Sequence, residues 1–173
     1  MVPPESSDLW ERILEFPLDA PGSPCPFTVR LSHEQQWPLT AARAAVLEYR
    51  KFAFLAVVAG HPVSPSHAID QVWHLHLLHT RSYWEEWCPK VLGMTLHHEP
   101  TKGGRVEEEK FGDWYARTLE SYRRFFGHPK LGWIWPDPEL KRQGEGVFRY
   151  IDITRHWCLR RPWLPRPPYF STE

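Results

Sequence analysis

Five of the ten histidines in this 173-residue chain lie within one stretch of 25 residues. They are His74, His76 and His79, followed by His97 and His98. Imidazole is the commonest protein ligand for transition metals and the side chain that titrates nearest neutrality, so this clustering points to metal binding or a pH-sensitive cluster. The first three belong to the run Asp70-Gln71-Val72-Trp73-His74-Leu75-His76-Leu77-Leu78-His79. At about 100° per residue in a helix, Ile69, Trp73, Tyr83, Trp84 and Trp87 define a broad apolar face with His76 in its middle. His79 and Tyr83 fall on one flank. Asp70 and His74, four residues apart, share the other flank and can touch. A carboxylate beside a histidine orients the ring and raises its basicity, as the outer partners of a metal ligand do. His74 and His76 lie about 200° apart on a regular helix, so either the helix is distorted or only one of them points at a common site.

The preceding helical segment supplies a carboxylate. Ala41, Ala44, Phe52, Leu55 and Ala59 form an apolar stripe at helical spacing, with Glu48 on its centreline. A carboxylate buried there costs several kcal/mol unless it is paired, and histidines, a metal or an arginine would each satisfy it. Histidine and carboxylate donors without cysteine suit a divalent transition metal (iron, zinc or copper) in a Lewis-acid or oxygen-activating role. The expected ligands are His74, His76, His79 and His98. Glu48 is expected as a ligand or general base, and Asp70 as the residue that orients His74. A hydrogen-bonded histidine core, a pH-sensitive cluster, or a non-catalytic adaptor with a structural His/Trp core are the competing readings.

At these residues the chain resembles the glycine-rich domain-containing protein-like family. The resemblance rests on Asp70, Trp73-His74, His76, His79 and Tyr83, on Gly93 and Leu96 to His98, and on Glu48 to Phe52. It extends over residues 27–127. It implies a helical fold and a motif that acts as a unit, and it names no reaction. Some members have an acidic residue where this sequence has His97, which favours His98 as the functional one of the pair. Longer members carry glycine-rich or RNA-binding-type segments, and neither is expected here.

The elements that must position these residues follow from periodicity and punctuation. Ser6 and Ser7 open a short helix with Leu9, Ile13, Leu14 and Phe16 at helical spacing. A proline-rich linker, Pro17 to Pro26, leads to a short helical turn near Phe27–Glu34. Thr40 begins a longer helix that ends at Gly60. Ser64-Pro65 opens the next, with Ser66 nearby, and it should reach Trp87 before Pro89 breaks it. A loop carries His97 and His98, and a last helix covers Val106 to Phe126, stopped by Gly127. The expectation is a mostly α fold in a single domain, 1–173. Residues 27–127 form the helical core, and 128–173 an irregular extension rich in proline and tryptophan that wraps the bundle. Only Val147 to Ile151 alternates like a strand.

Other features carry bland readings. Trp84, Trp87, Trp114, Trp133 and Trp135 read as core rather than as a ligand pocket, and Trp157 and Trp163 as tail packing. Lys102-Gly103-Gly104-Arg105 lacks the spacing of a phosphate loop. Arg117, Arg123 and Arg124 read as a solvated face. Cys25, Cys88 and Cys158 form no CxxC pair, so a reducing, cytoplasmic location is expected. Twenty-one basic residues balance 21 acidic ones, so no whole-molecule field attracts nucleic acid or an anionic membrane. The expected partner is a small-molecule substrate or another protein.

Overall fold

The computed structural model describes residues 7–99 and 105–138, and this part of the chain is built from helices. They are α1 (Ser7–Glu15), α2 (Phe27–Gln35), α3 (Leu39–Val58), α4 (His67–Leu78), a π-helix (Ser82–Leu92) and α5 (Arg105–Phe126). The sequence elements expected at Val147–Ile151, Lys102–Gly104, Trp157 and Trp163 lie outside the described residues. No helix among the described residues is long and apolar enough to cross a membrane.

α3 is the axis of the bundle. Its alanines and aromatic residues bury Ala42, Ala45, Tyr49, Phe52, Ala53, Phe54 and Leu55 completely, on more than one face. α1, α2, α4, the π-helix and α5 all pack against it. A helix that is apolar nearly all round must be surrounded, and this one is. Three local devices hold the others in place. Asp19 accepts both the backbone N–H and the hydroxyl of Thr28, each at 2.7 Å, anchoring the first turn of α2. Ser66 caps α4 by accepting the N–H of Ile69 at 3.3 Å. Gly127, at φ +77°, ends α5.

The fourth device is Arg50, whose guanidinium leaves α3 and donates to the terminal carbonyls of α1. Its partners are Ile13, Leu14 at 3.2 Å and Phe16 at 2.7 Å. These carbonyls have no partner within the helix, and a cation there also complements the negative end of the helix dipole. Burial draws the Arg50 pKa downward. Arg50→Met keeps the aliphatic stem and removes all three bonds. It is expected to cost about 2–4 kcal/mol and to open the 17–26 linker to limited proteolysis; an unchanged urea midpoint would dismiss this role.

The stretch after α4 departs from the expected single helix. α4 stops at His79, and the chain resumes as a π-helix with Pro89 inside it. Proline breaks an α-helix because its ring meets the carbonyl four residues back and its nitrogen has no hydrogen. The wider π turn relaxes that clash. Residues then face inward in the pattern Tyr83, Trp87-Cys88, Val91-Leu92, all buried. Trp84, expected on the apolar face, is rotated outward and 41% exposed. Trp133, also expected in the core, is 48% exposed, whereas Trp87 and Trp135 are buried. Gly93, at φ +70°, terminates the π-helix.

Candidate metal centre

α4 is capped by Ser66, and its regular turns bring Asp70 and His74 to one face, with His74 Nε2 3.7 Å from Asp70 Oδ2. The third member arrives from the loop after the π-helix. The Tyr83 hydroxyl receives the indole N–H of Trp73 at 2.8 Å and donates to the carbonyl of Leu96, which draws that loop onto α4. Burial raises the Tyr83 pKa, so its hydroxyl keeps its proton for this role. His98 then rests on the Trp73 ring, with centroids 4.4 Å apart, and its Nε2 lies 2.7 Å from Asp70 Oδ1. The His74 and His98 rings are 4.6 Å apart.

Asp70, His74 and His98 thus form a group in which one ligand atom from each lies within 4.8 Å of the others. Metal–ligand bonds near 2.0–2.1 Å at tetrahedral or octahedral angles place neighbouring donors about 3.0–3.4 Å apart. His98 and His74 lie 2.7 and 3.7 Å from the two different oxygens of Asp70. Two imidazoles and one carboxylate are a donor set that divalent transition metals accept. The group is also reachable, because half of the His74 side-chain surface is exposed.

The other expected site residues are placed elsewhere. His76 is fully buried, with Nδ1 2.9 Å from the Tyr49 hydroxyl and Nε2 3.3 Å from Ser82 Oγ. Burial chiefly, helped by the nearby His79 and Arg50, lowers its pKa from 6.5 to about 3, so it is a neutral core residue. His79 sits at the junction between α4 and the π-helix, edge-on to Phe27. Its Nε2 is buried without a hydrogen-bond partner among the described residues. Of the two histidines 200° apart, it is His74 that faces the group. His97 turns away against Trp84. Asp70 contacts both His74 and His98 rather than His74 alone.

Glu48 is buried as expected, but its partners among the described residues are neither histidine nor arginine. Its carboxylate accepts from Lys51 Nζ, the Tyr122 hydroxyl and the Trp135 indole N–H, each at 2.8 Å. Burial, reinforced by the adjacent Glu48, raises the Tyr122 pKa and keeps that hydroxyl a donor. Lys51 is visible in the sequence as an i, i+3 partner. Tyr122 and Trp135, 74 and 87 residues away, are not.

Residues 30–110, which include α3, α4, the π-helix and the loop carrying His98, match the model of the UCP032817-like family. Two curated plant proteins match as well. Glycine-rich domain-containing protein 1 of Arabidopsis thaliana is 25% identical over 129 residues, covering 71% of this chain and 16% of its own length. Glycine-rich domain-containing protein 2 of the same plant is 30% identical over 90 residues, covering 48% of this chain and 11% of its own. Over part of its length the chain is similar to the glycine-rich domain-containing proteins. It spans about a sixth or less of the length of these relatives. No solved structure matches it.

Proposed function

We propose that Asp70, His74 and His98 hold a divalent transition metal (iron, zinc or copper) and that this centre serves a metal-dependent enzyme. The convergence of two imidazoles and one carboxylate from α4 and the 93–99 loop carries the reading. Three protein donors leave coordination positions open to solvent and substrate, and such a metal supplies Lewis-acid or oxygen-activating chemistry. Asp70 orients the two rings, Trp73 supports His98 from below, and Tyr83 holds the loop that delivers it. A small molecule reaching the exposed His74 side is the expected substrate. Absence of nucleic-acid binding remains an expectation from the balanced charge.

Metal analysis of the purified protein, followed by melting in added Zn(II), Fe(II) or Cu(II), tests this. Ligand at about a hundred times its Kd stabilises by about 2.7 kcal/mol, equivalent to roughly 5–10 °C for a chain of this size. That rise should vanish in His98→Ala and Asp70→Asn and survive in His97→Ala. Metal-free protein whose melting temperature ignores all three ions would end the proposal.

The short Asp70–His98 contact favours one second reading, a structural clasp in a non-catalytic adaptor. The clasp predicts that Asp70→Asn lowers the melting temperature in chelator, with no response to metal in either protein.

A further inference from the structure

A polar concavity lies where the end of α3 meets the C-terminal half of α5. It is a cleft of about 310 Å³ lined by Ala59, His61, Arg117, Glu120, Ser121 and Arg124. Its volume is at the lower end of the range for small-molecule sites. Arg117, Ser121 and Arg124 recur at i, i+4 and i+7, so they share one face of α5.

The opposite wall is held by hydrogen bonds from that same helix. His61 Nε2 lies 2.7 Å from Ser121 Oγ, and its Nδ1 lies 2.9 Å from the Pro62 carbonyl. Because that carbonyl can only accept, Nδ1 carries a hydrogen and donates it. Three residues on, the N–H of Ser64 donates to Thr118 Oγ1 at 3.0 Å in the buried layer beneath. The 61–64 segment is therefore fixed to α5 at two points. Gly60, at φ +71°, makes the turn, and the small side chain of Ala59 leaves the space open.

Above this fixed floor stand two exposed guanidiniums. Neither Arg117 nor Arg124 has an ion-pair partner among the described residues. Arg124 lies over the adjacent Phe125 ring, 5.4 Å from its centroid. Against the single carboxylate of Glu120, the two arginines leave the cleft cationic. Guanidinium forks match the oxygens of phosphate in a bidentate manner, and a dianion gains from two of them at once.

We propose that this cleft binds a small phosphomonoester, its phosphate held between Arg117 and Arg124. The site is independent of the Asp70–His74–His98 centre and needs no metal. Glu120 opposes the anion and limits its affinity.

Titration of the full chain with glycerol phosphate at constant ionic strength, followed by calorimetry and by amide shifts on α5, tests the proposal. Saturable binding is expected, weakened about tenfold by Arg117→Gln and again by Arg124→Gln, and strengthened by Glu120→Gln. Both arginines are exposed, so the variants should keep the wild-type melting temperature. Arg43→Gln, on the exposed surface of α3, should leave binding unchanged. No saturable binding, equal weakening by Arg43→Gln, or equal binding of acetate would each overturn it.

Discussion

Glu48→Ala is expected to destabilise the fold by about 3–5 kcal/mol. Three donors meet at this carboxylate from three parts of the chain: Lys51 on α3, Tyr122 on α5 and Trp135 beyond it. Removing the acceptor leaves an ammonium, a hydroxyl and an indole N–H in a site where Tyr122 and Trp135 are almost wholly buried. Each orphaned neutral donor costs about 1–3 kcal/mol and a charged one more. Lys51 offsets part of this because it retains some solvent contact and lies over the Tyr122 and Phe126 rings. Urea unfolding followed by tryptophan fluorescence measures the loss. Glu48→Gln keeps the shape and one acceptor oxygen, and should cost less than half as much. The double change Glu48→Leu with Lys51→Met removes charge from both partners and should recover part of the loss. If Glu48→Ala costs under 1 kcal/mol, this network does not join α3 to α5 as described.

The second large effect is acid sensitivity at His76. Its pKa in the folded chain is about 3 against an ordinary 6.5, so between those values the unfolded chain binds a proton that the folded one does not. Stability from this group is intact above pH 6.5 and is lost as pH falls toward 3. The slope is about 1.4 kcal/mol per pH unit, with an upper limit of about 4–5 kcal/mol over the whole interval. The physical cause is that a cation would have to form among Tyr49, Trp87, Phe16 and Phe27 with no carboxylate beside it. His76→Gln removes the titration. It should be less stable than wild type at neutral pH, through loss of the Tyr49 bond, yet the gap should narrow steadily on acidification. Parallel stability curves for the two proteins from pH 7 to pH 4 would show that His76 does not set the acid limit.

Much of this architecture is local and was open to reading from residue order. Leu9, Ile13 and Phe16, the Ser66 cap, and the stops at Gly60 and Gly127 are governed by neighbours within a turn or two, and α1, α2, α3 and α5 agree with the expectation within a residue or two. The Asp70–His74 contact is of the same kind, because four residues of regular helix place the two side chains together in any fold. The burial of Glu48 was equally legible, since its neighbours on the stripe are apolar.

Packing decided the remainder. A helical period assumes an unbroken helix, so the stop at His79 and the π-helix beyond it shifted the phase of every later residue and turned Trp84 outward. His76 faces inward, where two hydroxyls meet its nitrogens. Glu48 found two of its three partners across more than 70 residues of chain, and Tyr83 ties down the loop that brings His98 to Asp70. By itself the sequence determined α1, α2, α3 and α5, the start of α4, and the half of the candidate centre that lies on α4. Only the tertiary structure decided which histidine completes that centre and what satisfies the buried carboxylate. The reason is physical: periodicity sets where a side chain points on its own helix, whereas the group it meets depends on how helices cross and where loops are pinned.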